Sequence, residues 1–356
     1  MSNIVLDKIF DHISDLKSQG LKVVDSHVHP YDVMGIVHYN HVSNKYVDRD
    51  YARPGILESL GYGKFAKVGQ RLFFNLFPGE VEKIIKTTYQ NVNEKSSLME
   101  MQGSLVDKAV LLPVEPWLTT SYVADNCISD RFYLLGSFDI HGVHINDVED
   151  TFNRYIREYK IVGLKFHPNL QNFKPQPSHN SANIREKLKI IYSLAEKNNV
   201  YMLFHSGTSF FTNRIDVAYK DFLRSKNNAL LENFCNDNGE SELLGKYNVP
   251  IVLAHLGHYG VNNIKYDLIK KIASHYENVY FDTSGTPVDL IHHITKIVTA
   301  DRVIFGSDAL YNRMAFNLAF TYTGILRYAN DAKVDFEESI VKVLGSNYLN
   351  RLINIH

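Results

Sequence analysis

Asp25-Ser26-His27-Val28-His29-Pro30 closes the first apolar run of the chain, Lys22 to His29. Residues two apart on a strand project to the same side, so this run delivers two imidazoles to one face at its C-terminal end. Seven further runs follow the same plan: Lys108 to Val114, Phe132 to Ile140, Ile161 to His167, Val200 to Ser206, Val249 to Gly257, Val279 to Ser284, and Arg302 to Asp308. Most are near-continuous in Val, Ile, Leu and Phe, several close on a polar residue, and longer helix-like segments separate most of them. Near-continuous apolar strands belong in a parallel sheet covered by helices. Eight such units in the α/β class predict a (β/α)8 TIM barrel, whose strand ends converge on one mouth.

Convergence gives the polar strand ends their meaning. LFHSG places His205, LAHLGH places His255 and IFGSDA places Asp308 at the same end as His27 and His29. Singly, each has an ordinary reading as a turn or helix cap; together they form a donor set for one divalent cation. Histidine nitrogens with one carboxylate suit Zn²⁺ best, with Mn²⁺, Fe²⁺, Co²⁺ or Ni²⁺ chemically open. The fourth run adds GLKFHP, in which Lys165 and His167 share a face. A lysine inside a barrel must be paired or modified. Lys165 is therefore read as a carbamate bridging two metals, an ammonium for a substrate carboxylate, or one half of an interior salt bridge. His167 contacts substrate, supports a ligand or shapes the loop before Pro168.

The ordered set DSHVHP, GLKFHP, FHSG, AHLG, FGSDA and VLGSNYLNRL spans nearly the whole chain. It resembles the amidohydrolase superfamily, and within it the amidohydrolase 2 group that includes aminocarboxymuconate-semialdehyde decarboxylase and related hydrolases. The resemblance implies His27, His29, His205 and Asp308 as metal ligands. It implies that His255 orients or deprotonates a metal-bound water, or takes a second metal. The expected activity is hydrolysis of a C–N or C–O bond (amide, lactone or ester) of a small molecule, since a Zn²⁺ ion with an open position lowers the pKa of bound water to roughly 7. The alternative is a metal-dependent non-oxidative decarboxylase of a small carboxylic acid. Lys165 departs from the decarboxylases of the group. The expected catalytic residues are Asp308, His255 and Lys165; His167, Arg313 and Trp117 are expected to meet substrate, with Tyr311, Asn169 and Gln171 on the rim. One Zn²⁺ is expected, or two if Lys165 is carboxylated.

Residues 1–356 read as a single domain with an insertion at about 31–106, containing helix-like sequence around Glu80 to Gln102. That insertion is expected to cap the site, with aromatic residues (Tyr31, Tyr39, Tyr46, Tyr51, Tyr62, Phe65, Phe73, Phe74 and Phe77) lining a pocket or packing the cap. Ile4, Val5, Ile9, Phe10, Ile13 and Leu16, interrupted by Asp7, Asp11 and Asp15, predict an amphipathic helix before the barrel rather than a secretory signal. Phe336 to Ile353 is expected to be the last helix, with Asp335 as its N-cap. A formal net charge of -1 gives no field to gather nucleic acid or an anionic membrane. A small-molecule partner is therefore expected, with a homodimer left open. Two distant cysteines, Cys127 and Cys235, exclude a disulfide framework and suit a cytoplasmic location. GYGKFA at Gly61–Ala66 follows no strand and is discounted as a dinucleotide fingerprint.

Overall fold

The computed structural model describes residues 3–42, 76–90, 92–209, 225–261 and 263–353. Tyr46, Tyr51, Tyr62, Phe65, Phe73, Phe74 and the Gly61–Ala66 stretch lie outside these residues. Eight parallel strands run in sequence order: β1 (Val24–Val28), β2 (Lys108–Leu111), β3 (Phe132–Gly136), β4 (Gly163–Phe166), β5 (Tyr201–Phe204), β6 (Ile251–Leu253), β7 (Val279–Asp282) and β8 (Val303–Ile304). Register is direct across β4 and β5, where Lys165 lies opposite Leu203. The ring closes between β8 and β1 through Ser26 N–H to Phe305 O (2.9 Å) and Asp308 N–H to His27 O (2.9 Å). This is the expected TIM barrel.

Alternation along each strand sorts side chains into an inner and an outer set. Leu164, Phe166, Met202, Phe204, Ile251, Leu253, Val279 and Phe281 face the helices and belong to the large outer core. Val110, Leu112, Leu135, Tyr201, Leu203, Val252 and Ile304 fill the barrel interior. By the same period-two rule, Lys165 and His167 continue the inner file of β4, and His205 continues that of β5. Gly163 must lack a side chain because a Cβ there would lie 2.6 Å from the Tyr201 ring. The floor is sealed by Tyr348 and Leu352 from the C-terminal helix, with the Tyr201 and Tyr348 hydroxyls 2.9 Å apart.

The helices are α1 (Asn3–Ser18), α2 (Pro78–Tyr89), α3 (Glu94–Gly103), α4 (Thr120–Asn126), α5 (Val148–Tyr159), α6 (Ala182–Lys197), α7 (Tyr266–His275), α8 (Val288–Val298), α9 (Met314–Ala332) and α10 (Phe336–Val341). Helix α1 buries Ile9, Ile13 and Leu16 and ends at Gly20, whose φ of +108° supplies the left-handed turn. Lys17 then ties the helix to the entry of β2 through Asp107 Oδ1 (2.8 Å), while Asp107 Oδ2 accepts Val23 N–H (2.8 Å). Helices α2 and α3 lie within the span expected to form the insertion, and Asn93 caps α3 by accepting Ser96 N–H at 3.0 Å. Asp335 caps α10 as expected, accepting Glu338 N–H at 2.7 Å. Beyond Val341 the chain widens into π-helical turns, Lys342–Ser346 and Tyr348–Leu352.

The eighth strand is shorter than the run Arg302 to Asp308. Phe305 N–H turns to Val343 O (2.9 Å), a partner in the C-terminal helix, and Asp308 adopts a φ of +62°, which ends regular pairing at the mouth. Among the described residues, no helix is long and apolar enough to cross a membrane.

Candidate metal centre

Four imidazoles each have one ring nitrogen fixed by an acceptor. His27 Nδ1 lies 2.8 Å from Asp282 Oδ2, and a carboxylate only accepts, so Nδ1 carries the proton and Nε2 the lone pair. His29 Nδ1 lies 3.0 Å from Leu112 O, which assigns the same tautomer. His205 Nδ1 lies 3.0 Å from His255 Nε2. His255 Nδ1 faces Ser284 O at 2.9 Å and Ser284 Oγ at 2.9 Å, and the Ser284 hydroxyl donates its proton to Asp282 Oδ1. His255 must therefore be protonated at Nδ1 and accept at Nε2, so His205 donates from Nδ1. Among the described residues, His205 Nε2 is left buried without a hydrogen-bond partner.

The lone pairs of His27 and His29 point at one carboxylate. Both Nε2 atoms lie 3.7 Å from Asp308 Oδ1, and these three residues offer ligand atoms all within 4.8 Å of one another. Asp308 Oδ2 accepts Asn312 Nδ2–H at 3.3 Å. His205 is not in that group of three. It sits beside it, its ring 4.8 Å from that of His255, which is itself 5.0 Å from that of His27. A buried nitrogen lone pair without a donor is costly, and a cation is the partner that Nε2 of His205 fits. Two Nε2 lone pairs and a carboxylate oxygen at one barrel mouth are donors of the kind a divalent metal takes.

Burial sets the charge states. It holds His27, His29, His167 and His205 well below the ordinary histidine pKa, with neighbouring Lys165 or imidazoles adding to the effect. His255 is pushed down to about 4 by burial, against the pull of Asp282. These rings are neutral at neutral pH, the form that ligates. Burial also lowers Lys165 to about 8, opposed by Asp282 and Asp308, and raises Asp308 well above the carboxylate range, opposed by Lys165. Asp25 is raised to about 7 by burial, although its Oδ1 accepts the amides of His27 (3.1 Å) and Ser307 (2.9 Å).

Lys165 Nζ lies 3.3 Å from His27 Nε2, which places it at the centre rather than in a distant interior ion pair. His167 stacks on His205 with ring centroids 4.0 Å apart and planes 8° from parallel. Its own loop is locked by Gln171, whose Oε1 accepts His167 N–H at 2.7 Å and whose Nε2 donates to Phe138 O at 2.7 Å. Asn169 pins the β4 and β5 loops together through Gly207 O (3.0 Å) and Ala229 N–H (2.8 Å). Gln171 and Asn169 are thus buried loop anchors. Tyr311 joins the loops after β1 and β8, donating to Asp32 Oδ1 at 2.6 Å. Arg313 Nη1 lies 3.4 Å from buried Glu100 Oε2. Trp117 is half-buried against the outer core in the turn bridging Val114 and Leu118.

Asp282, Ser284 and Asp25 had no assigned role in the sequence reading. The seventh run ends on Asp282 and Ser284, so the same strand-end logic could have singled them out. Tyr259, with its ring 4.6 Å from His255, follows the AHLGH motif and carried no comparable signal.

No curated protein matches the sequence. Among solved structures, the chain is similar to 2,6-dihydroxybenzoate decarboxylase from Rhizobium, with 12% identity, 93% of this chain and 98% of that chain covered, and a TM-score of 0.53. It is similar to 5-carboxyvanillate decarboxylase from Novosphingobium aromaticivorans complexed with manganese and 4-hydroxy-3-methoxy-5-nitrobenzoic acid, with 15% identity, 94% and 96% coverage and a TM-score of 0.54. The IDCase of Metarhizium anisopliae in apo form gives 13% identity, 94% and 97% coverage and a TM-score of 0.52. These likenesses show the barrel fold. The amidohydrolase family profile matches residues 24–325, from the first strand into α9, and the chain belongs to the amidohydrolase family.

Proposed function

We propose that this chain is a metal-dependent non-oxidative decarboxylase of a small carboxylic acid, with His27, His29, His205 and Asp308 holding one divalent ion. The observation that carries the reading is the convergence of His27 Nε2, His29 Nε2 and Asp308 Oδ1 beside the unpartnered His205 Nε2. Support for decarboxylation over hydrolysis comes from the neighbours: solved structures similar over 93% and 94% of the chain are decarboxylases of aromatic acids. Zn²⁺ and Mn²⁺ both suit the donors, and manganese is bound in one neighbour. When bound, the ion supplies a Lewis acid that holds a substrate oxygen and takes up developing charge.

The chain's own groups account for the rest. Decarboxylation breaks the C–C bond to the carboxylate, releases CO₂ and places a proton on the carbon left behind. Asp308, at the mouth with Oδ1 toward His27 and His29 and Oδ2 toward Asn312, is the group placed to hold and deliver that proton. Lys165 contributes positive charge beside His27. His167, stacked against His205, and Tyr259, against His255, offer flat faces for a planar acid. Arg313 and Trp117 are proposed as rim contacts, and the segment at about 31–106 as a cap over them.

Hydrolysis is the second reading, favoured by Lys165: carboxylated, it would bring oxygen donors for a second ion into the barrel. Incubating Zn²⁺- or Mn²⁺-loaded protein with carboxyl-¹³C hydroxybenzoates and with amide, ester and lactone panels separates the two. Release of ¹³CO₂ is expected. A new acid, amine or alcohol without CO₂ would overturn decarboxylation and restore hydrolysis, and intact mass would then report the Lys165 carbamate.

A further inference from the structure

We propose that Asp282 is a positioning residue whose single carboxylate sets the tautomer of His27 directly and, through the Ser284 hydroxyl, supports the His255–His205 tautomers that the Ser284 carbonyl also fixes. Asp282 is fully buried at the end of β7 and its two oxygens are divided between two duties. Among the described residues, Oδ2 is hydrogen-bonded only to His27 Nδ1, at 2.8 Å. Oδ1 accepts three donors: His255 N–H (2.9 Å), Ser284 N–H (3.1 Å) and the Ser284 hydroxyl.

The relay to His205 follows from counting protons. With its own proton given to Asp282, Ser284 Oγ can only accept, from His255 Nδ1 at 2.9 Å and from His27 Nδ1 at 3.2 Å. His255 Nε2 is then a lone pair, which His205 Nδ1–H must fill. The result is a bare Nε2 on His205 and a bare Nε2 on His27, both reached from one residue 282. Lys165 corroborates the His27 assignment independently, because an ammonium only donates and it lies 3.3 Å from His27 Nε2.

Asp282→Asn tests the division of labour. Three donors converge where Oδ1 sits, so the amide must turn its oxygen there and its NH₂ toward His27 Nδ1. His27 Nδ1–H then keeps only the longer contact to Ser284 Oγ (3.2 Å), and a proton moved to Nε2 removes the lone pair a metal needs; wrong-tautomer effects of this kind leave geometry intact. The inference rests on the metal-centre reading, and supporting groups of this type typically tune metal affinity by about 10–100-fold. Metal-free protein is titrated with Zn²⁺ and with Mn²⁺ by chelator competition, and ring ¹⁵N shifts are read in wild type and variant. The expected result is affinity weakened by about 100-fold in Asp282→Asn, with His27 switched to the Nε2–H form. Ser284→Ala should weaken it less, because His255 Nδ1 keeps the residue-284 carbonyl as acceptor. Unchanged affinity in Asp282→Asn overturns the proposal. So does an Nε2–H His27 in wild type, a measurement that stands even if the variant fails to fold. Wild type that binds neither ion sinks the metal-centre reading instead, and the ¹⁵N shifts still decide the role of Asp282.

Discussion

Gly306→Ala disturbs the metal centre without removing a single donor. A Cβ built on Gly306 lies 2.9 Å from His27 Cβ and 3.2 Å from both Ser26 Oγ and Ser284 Cβ. Carbon pairs settle at about 3.5–4.0 Å, so β1 and the β8 loop must separate by about 0.6 Å. His27 Cβ cannot rotate away, since it is fixed to the strand. The ring moves with it, against the 2.8 Å bond to Asp282 and the 3.7 Å approach to Asp308. Metal–ligand distances tolerate only about 0.2 Å, and overpacking costs about 1–3 kcal/mol. We expect a folded variant, less stable by that amount, with Zn²⁺ or Mn²⁺ affinity reduced about tenfold or more. Gly345→Ala is the control at the opposite end of β1, where a Cβ would collide with Lys22 O. It should lose stability yet keep the affinity of its folded fraction. Denaturant unfolding and metal titration on both variants decide the matter. Wild-type affinity in Gly306→Ala would refute the claim that this contact sets the ligand geometry.

Other perturbations probe the remaining links. His27→Ala and His205→Ala should each abolish bound metal by elemental analysis, and full retention by either would remove it from the ligand set. The sequence alone expects His255→Ala to keep its metal and lose rate; the 3.0 Å bond to His205 predicts a weakened affinity as well, read in the same titration. Tyr311→Phe removes a donor to buried Asp32 and an acceptor for Val33 N–H (2.9 Å), costing about 1–3 kcal/mol in urea unfolding, and an unchanged midpoint would show that this link is dispensable. Saturating wild type with metal at about 100 times its Kd should add about 2.7 kcal/mol of stability, and a chelator should remove it.

The barrel was legible because burial is expensive for polar groups. Eight apolar runs announce strands, and His27, His205, His255 and Asp308 at their ends announce a site, since histidine and aspartate are not spent there without partners. The connections among those residues were not legible. Nothing in VYFDTSG tells that one oxygen of Asp282 serves β1 while the other serves the turns after β6 and β7. That pairing joins residues 255 apart in sequence and exists only once the ring has closed. The strand bounds were overread for a related reason. Residues 305–308, Phe-Gly-Ser-Asp, continue the apolar run of Val303 and Ile304 without a break in sequence, but their hydrogen bonds go to Ser26, Val343 and His27 rather than along a regular ladder.

Backbone conformation at the mouth carries the same logic one step further. His255, Leu256 and Asp308 sit at φ values of +56°, +51° and +62°, a region that favours glycine and costs other residues about 1–3 kcal/mol each. Glycine would satisfy the backbone but could supply neither an imidazole nor a carboxylate. The strained turns must therefore be held from outside the local sequence, and the holders are visible: Asp282 Oδ1 grips the amide of His255 at 2.9 Å, and His27 O grips that of Asp308 at 2.9 Å. Each holder is itself a member of the site. Orientation of the donors and strain in the turns are consequently one cooperative arrangement, in which displacing His27 or Asp282 loosens both a side chain and the backbone turn that presents the next one.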